Sequence, residues 1–168
     1  MKLSAIAHCS ASLIAGALAL AAAGCGGQND AGAPVDGSAL LYSCATETRA
    51  VPYTANLSRP SVSGQSTAIL VKSVPGPPIK GTNDWTVKVL DASGAPEDGL
   101  TIKASLFMPD HGHGPSVEPV VTPVSGQAGT YLASPVWFFM EGYWEVTFTW
   151  QPPTGAQESV VFPICIPG

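Results

Sequence analysis

The feature that most constrains this 168-residue chain is an alternation of apolar and polar side chains with a period of two. Successive side chains of a β-strand point to opposite faces, so this alternation predicts strands with one buried face. The pattern is clearest in three segments: Trp85–Asp91, Thr101–Met108 and Tyr143–Trp150. No segment after residue 38 carries the apolar stripe of a helix, and we therefore expect an all-β fold.

The composition favours the same class of fold. The chain holds 18 glycines and 16 prolines but only 12 acidic and 7 basic residues, which argues against a coiled coil or a helical bundle. With 45% apolar residues and a formal charge of -5, it also lacks the signature of a disordered chain. The basic residues are scattered and form no stripe for a phosphate backbone, so nucleic acid is not an expected partner.

Further strands are expected where short apolar runs lie between turns rich in glycine, proline and aspartate. They are Leu40–Ala45, Thr67–Ser73, Val117–Thr122, Gly129–Ser134, Val136–Met140 and Ser159–Ile166. Seven to nine short antiparallel strands at this spacing predict a single immunoglobulin-like β-sandwich over residues 39–168. Within residues 51–81 we expect an N-terminal edge strand and a loop, since the prolines at 75, 77 and 78 suit an edge or a crossover.

The first 24 residues have the pattern of a bacterial lipoprotein signal peptide. Lys2 precedes a run of mostly Ala, Leu and Ile, and the small residues at 22–24 come directly before Cys25. Cleavage there would leave Cys25 as the lipid anchor and residues 25–38 as a flexible tether. Ala22 stands where a leucine is usual, so an ordinary secretory signal and an uncleaved anchor helix remain as alternatives.

This interpretation predicts an exported protein, held at the membrane by its lipid and facing the periplasm or the cell surface. By analogy with Gram-negative lipoproteins, Gly26 in place of an aspartate permits transfer to the outer membrane. Cys9 lies in the signal and Cys25 carries the lipid, which leaves Cys44 and Cys165 as one pair. We expect them to form a disulfide, because exported proteins fold in oxidising compartments.

The segment MPDHGHG at residues 108–114 contains both histidines that lie beyond the signal peptide. Two imidazoles two residues apart on a glycine-rich loop can turn towards one point. Met108 adds a thioether, and Met140 ends another apolar segment. Imidazole with thioether suits copper, especially Cu(I), since soft sulfur selects a soft ion. If the two strand ends meet at one pole, Met108, His111, His113 and Met140 form a candidate copper site.

The same residues have a purely structural interpretation. Met108 shares a strand face with Ile102 and Leu106, so it can simply pack the core. Asp110 can cap a turn, His111 can bond a backbone carbonyl, and the glycines can serve backbone conformations with positive φ. Met140 is equally suited to the core.

Four blocks of the sequence resemble the YtkA-like domain found in FixH-family proteins. They are Trp85–Val87 with Asp91 and Gly94 after it, residues 108–114, Gly129–Tyr131 and Met140–Val146. The resemblance spans about Trp85 to Trp150, and implies an immunoglobulin-like sandwich and an exported location. Some members of the family are associated with copper handling and the assembly of haem-copper oxidases, which implies metal binding here. The chain differs from FixH itself in having a lipoprotein-like signal in place of a membrane helix.

An enzymatic role is not expected from this sequence. There is no G-x-S-x-G nucleophile motif, and two histidines without a third strong ligand make a poor catalytic zinc site. We therefore expect a non-enzymatic binding protein that takes up copper through the Met/His loop. The alternative is a metal-free immunoglobulin-like module that binds or scaffolds another envelope protein. Its surface would come from an aromatic group: Trp137, Phe138, Phe139, Tyr143 and Trp144.

Overall fold

The computed structural model describes residues 42–168, which form two antiparallel β-sheets stacked as a sandwich. This part of the chain contains eight strands: β1 (Leu57–Pro60), β2 (Ser66–Val74), β3 (Gly81–Asp91), β4 (Ile102–Phe107), β5 (Val120–Pro123), β6 (Thr130–Phe138), β7 (Gly142–Trp150) and β8 (Glu158–Ile166). One sheet has the order β1-β2-β3-β6-β5 and the other the order β4-β7-β8. The predicted all-β, immunoglobulin-like sandwich is confirmed.

Several predicted features lie outside the described residues: the signal peptide 1–24, the anchor Cys25, the tether 25–38 and the start of the strand predicted at 40–45. Within residues 42–168, the structure contains no helix with the length and apolar character needed to cross a membrane.

The three segments with the clearest alternation are strands, as predicted. In β4, buried and exposed residues alternate without exception, and β3 and β7 bury every second residue over most of their length. One face of each strand therefore supplies the core, because a period of two sends alternate side chains to the same side of the sheet.

The strand predicted at Leu40–Ala45 is wrong in its described part. Residues Cys44–Thr46 form a short 3-10 turn, and the Ser43 side chain accepts a hydrogen bond from the Ala45 amide. This local hydrogen bond stabilises a turn, which competes with the hydrogen-bond ladder of a β-strand. Cys44 is also bonded to Cys165, which fixes the turn against the end of β8.

The two strands predicted on either side of Pro135 are one continuous strand, β6. Its pairing with β3 shifts register between Asn83 and Trp85, opposite the proline. A bulge of this kind lets a proline, which has no amide hydrogen, remain within a sheet. The strand predicted in residues 51–81, at the apolar run Thr67–Ser73, is β2, but its predicted edge position is wrong because β2 lies between β1 and β3. The edge strand is β1, which the sequence pattern did not predict, and the three prolines follow β2.

Aromatic side chains join the two sheets at the centre of the core. The ring of Trp85 on β3 lies 6.1 Å from Phe138 and Phe162 and 6.4 Å from Phe148. All four are at most 1% exposed. Burying each such ring stabilises the fold by about 2–3 kcal/mol, so this cluster determines how the sheets stack.

The predicted disulfide is present and joins Cys44 to Cys165 across a sequence separation of 121 residues. It ties the segment before β1 to the last strand. The Val51 amide also donates to the Pro163 carbonyl at 2.9 Å, so residues 44–51 run along the edge of β8.

We expect the double substitution C44S/C165S to lower the free energy of unfolding by about 2–5 kcal/mol, because the open chain gains conformational entropy when unfolded. Urea unfolding of the full chain, with and without reductant, measures the loss. The apolar core formed by residues 42–168 is untouched, so the variant still folds. An unchanged unfolding midpoint in both comparisons would contradict this expectation.

Candidate metal centre

The heptapeptide 108–114 leaves the end of β4 and turns back on itself. The Met108 amide donates to the His113 carbonyl at 2.8 Å, and the Gly112 amide donates to the Met108 carbonyl at 2.8 Å. Gly112 has φ of 70°, which a glycine adopts without strain. The result is a closed turn with both histidines at its tip.

The second candidate segment, residues 139–142, meets this turn at the same pole of the sandwich. The His113 ring stacks on Phe139, with centroids 5.5 Å apart and planes inclined by 25°. The terminal methyl of Met108 packs so closely on Gly142 that a Cβ there would lie 2.8 Å from it. The ends of β4 and β6 therefore do meet, as the copper hypothesis requires.

The two imidazoles are adjacent and exposed. Their centroids lie 5.7 Å apart and their planes are inclined by 62°. Among residues 42–168 their recorded hydrogen bonds run through the main chain and not through the rings. Imidazole nitrogens bind transition metals at about 2.0–2.1 Å, so rings that share an ion have centroids roughly 5 to 6.5 Å apart. The observed spacing fits a shared ion.

The two methionines occupy different environments. Met108 is 1% exposed and belongs to the apolar core. Met140 is half-buried at the edge of the core, and its carbonyl accepts a hydrogen bond from Trp144 Nε1 at 3.1 Å. Of the two thioethers, that of Met140 is the more accessible at this pole.

The glycines of the heptapeptide serve close packing as well as flexibility. A Cβ added at Gly114 would overlap the Leu106 carbonyl oxygen. The chain therefore crosses the end of β4 at a distance that only glycine permits. This requirement explains part of the motif without reference to a ligand.

Asp110 is held by an arginine that the sequence analysis did not single out. Arg49 donates from Nη1 to Asp110 Oδ1 at 2.6 Å and from Nη2 to Oδ2 at 2.7 Å. These hydrogen bonds lower the pKa of the Asp110 carboxyl. The two residues are 61 positions apart, so no local pattern could have identified the pair.

Most of the aromatic group considered as an interaction surface belongs to the core. Phe138 and Trp144 are fully buried and Tyr143 is 5% exposed. Trp137 and Phe139 are half-buried, with ring centroids 5.7 Å apart.

A cleft of about 550 Å³ lies at the opposite pole, lined by Asp91, Glu97 and Glu158 among others. Burial, with Asp91 nearby, raises the pKa of Glu97, whereas both oxygens of Glu158 accept from Ser63 Oγ. Within the described part of the chain, no group of three or more His, Cys, Asp or Glu side chains is arranged to hold a metal ion.

A family model described as YtkA-like matches residues 62–149, more than half of the chain. The matched region contains the heptapeptide and residues 139–142, but neither Arg49 nor the two disulfide cysteines. Comparison with curated proteins and with solved structures gave no match.

We expect Gly114→Ala to destabilise the fold by about 3 kcal/mol, because the added methyl forces the heptapeptide away from β4. Gly112→Ala is the matched control, because nothing lies within 4 Å of its added Cβ. Its cost is only the strain of placing an alanine at positive φ, about 1–2 kcal/mol. Thermal unfolding of both variants measures the difference. Equal destabilisation would contradict the close approach at Gly114.

Proposed function

This chain belongs to the YtkA-like family, and from that premise we propose that it is a lipid-anchored, non-enzymatic binding protein of the cell envelope that binds Cu(I). The histidine loop is the binding element. The observation that carries the proposal is the pair of exposed imidazoles 5.7 Å apart, with no recorded ring hydrogen bond among the described residues.

The chemistry of the donors favours Cu(I) over other ions. Two imidazoles and a thioether form a mixed soft donor set that suits Cu(I), and the adjacent carboxylate, Asp110, is bonded to Arg49. His111 and His113 supply the nitrogens, and Met140 supplies the accessible sulfur. Met108 reaches an ion only if the turn opens, because its side chain lies in the core.

The proposed location rests on the N-terminal sequence and on the disulfide. The small residues before Cys25 match what a lipoprotein signal peptidase accepts, and residues 25–38 would form a tether between the acyl chains and the sandwich. A disulfide between Cys44 and Cys165 is typical of an exported protein facing the periplasm or the cell surface.

A second candidate function is a metal-free module that binds another envelope protein. The half-buried rings of Trp137 and Phe139 favour it, because they extend the aromatic surface from His113 along β6. Aromatic rings of this kind often anchor protein interfaces.

We expect the full chain to take up one Cu(I) ion, measured by competition with a chromophoric Cu(I) chelator. The double substitution H111A/H113A should abolish uptake while the chain remains folded, since both rings are exposed and lie outside the apolar core. Met140→Leu should weaken uptake, because it removes the accessible sulfur and keeps the volume.

Met108→Leu is the matched control for the loss of a thioether, and should leave the affinity for Cu(I) nearly unchanged. Uptake by the wild-type chain at the level of H111A/H113A would reject the copper proposal and favour the interaction module. Equal losses in M108L and M140L would show that the turn opens to present both sulfurs.

A further inference from the structure

We propose that Arg49 is a positioning residue for the copper loop: it holds Asp110 and thereby sets His111 beside His113. The inference rests on the proposed Cu(I) function. The effect of Arg49 on the order of the loop can also be tested without any metal.

Arg49 binds two carboxylates at once. Its contacts with Asp110 use both terminal nitrogens, at 2.6 and 2.7 Å. Its Nε and Nη2 donate to the two oxygens of Glu47 at 2.9 and 2.6 Å. These bonds lower the pKa of Glu47 to about 2. The planar guanidinium is therefore fixed in orientation by two pairs of hydrogen bonds.

The guanidinium also packs on an aromatic ring. Its central carbon lies 4.3 Å from the centroid of the Tyr143 ring, and Tyr143 is a buried residue of β7. An arginine held over an aromatic face gains cation–π attraction and loses little further freedom when it binds a carboxylate. Arg49 thus connects the turn to the rigid three-stranded sheet.

The main chain around Arg49 is anchored on both sides. Cys44 is bonded to Cys165 of β8, and the Val51 amide donates to the Pro163 carbonyl. The segment between these two attachments cannot move far from β8. Whatever Arg49 holds is therefore fixed relative to the sheet that carries residues 142–150.

The two histidines depend on different contacts. His113 is held by stacking on Phe139 and by its carbonyl bond to Met108. His111 follows Asp110 directly and lies at the tip of the turn, where its ring meets that of His113. Loss of the bond to Asp110 should therefore increase the mobility of His111 more than that of His113. The two imidazoles would then no longer be held in the relative position that binding a shared ion requires.

The experiment compares Arg49→Gln with Lys80→Gln in the full chain. Lys80 pairs with Glu141 at 2.8 Å, at the same pole and with similar exposure, and within residues 42–168 its side-chain hydrogen bond goes to Glu141 and not to the heptapeptide. Both variants remove one positive charge near the proposed site. A general electrostatic effect on the cation should be equal in the two, whereas a positioning effect should occur in R49Q alone.

We expect R49Q to weaken Cu(I) binding about tenfold, the lower end of what loss of a residue supporting a metal ligand costs. K80Q should stay close to the wild type. Asp110→Asn should match R49Q, and R49Q/D110N should be no weaker than either single variant, because both substitutions remove one shared interaction.

Amide hydrogen exchange provides the readout that does not need metal. The amides of His111 and Gly112 both donate to the Met108 carbonyl, so their protection reports the order of the turn. We expect both to exchange faster in R49Q and to remain unchanged in K80Q. Exchange in R49Q equal to the wild type, or Cu(I) affinity in R49Q equal to K80Q, would overturn the positioning role. No Cu(I) uptake by the wild type would reject the proposed function, and the exchange comparison would then decide alone whether Arg49 orders the turn.

Discussion

The packing of the two sheets around Trp85 is the constraint on which the rest of the structure depends. That ring contacts Phe148 and Phe162 of the opposite sheet and so joins the two layers. Antiparallel pairing of β4 with β7, which places Phe107 opposite Glu145, brings the end of β4 to the β6–β7 connection at one pole. The turn at 108–114 therefore packs against residues 139–142, and the terminal methyl of Met108 lies in close contact with Gly142.

The end of the sandwich that carries the turn 108–114 combines a rigid apolar base with exposed imidazole rings. Apolar contacts fix the base, since Met108 and Trp144 are buried there. The imidazoles lie above it, and their recorded hydrogen bonds within the described residues use the main chain. Two contacts limit the movement of the turn: Phe139 stacks on His113, and Arg49 forms an ion pair with Asp110. Such an arrangement holds donors near one point while leaving their nitrogens available, which is what a binding site requires.

The sequence predicted the architecture wherever one face of a strand is strictly apolar. Tyr143–Trp150 alternates large apolar side chains with more polar ones, and the observed strand, Gly142–Trp150, begins one residue earlier and ends at the same residue. Prediction failed where a distant contact decides the backbone. The 3-10 turn at Cys44 depends on its bond to β8, and β6 continues through Pro135 because it bulges there, with Ser134 and Pro135 opposite the single residue Asp84 of β3. Arg49 was missed for the same reason: its partner Asp110 lies 61 residues away, and neither residue stands in a pattern that indicates the other.

The proposed site requires that the two imidazoles of the turn share one ion with a thioether. X-ray absorption at the copper K-edge of the Cu(I)-loaded chain can show this, because scattering from imidazole rings and from sulfur can be separated. We expect two imidazole nitrogens and one sulfur around the ion, with the sulfur lost in the M140L variant. A first shell without imidazole scattering would contradict it.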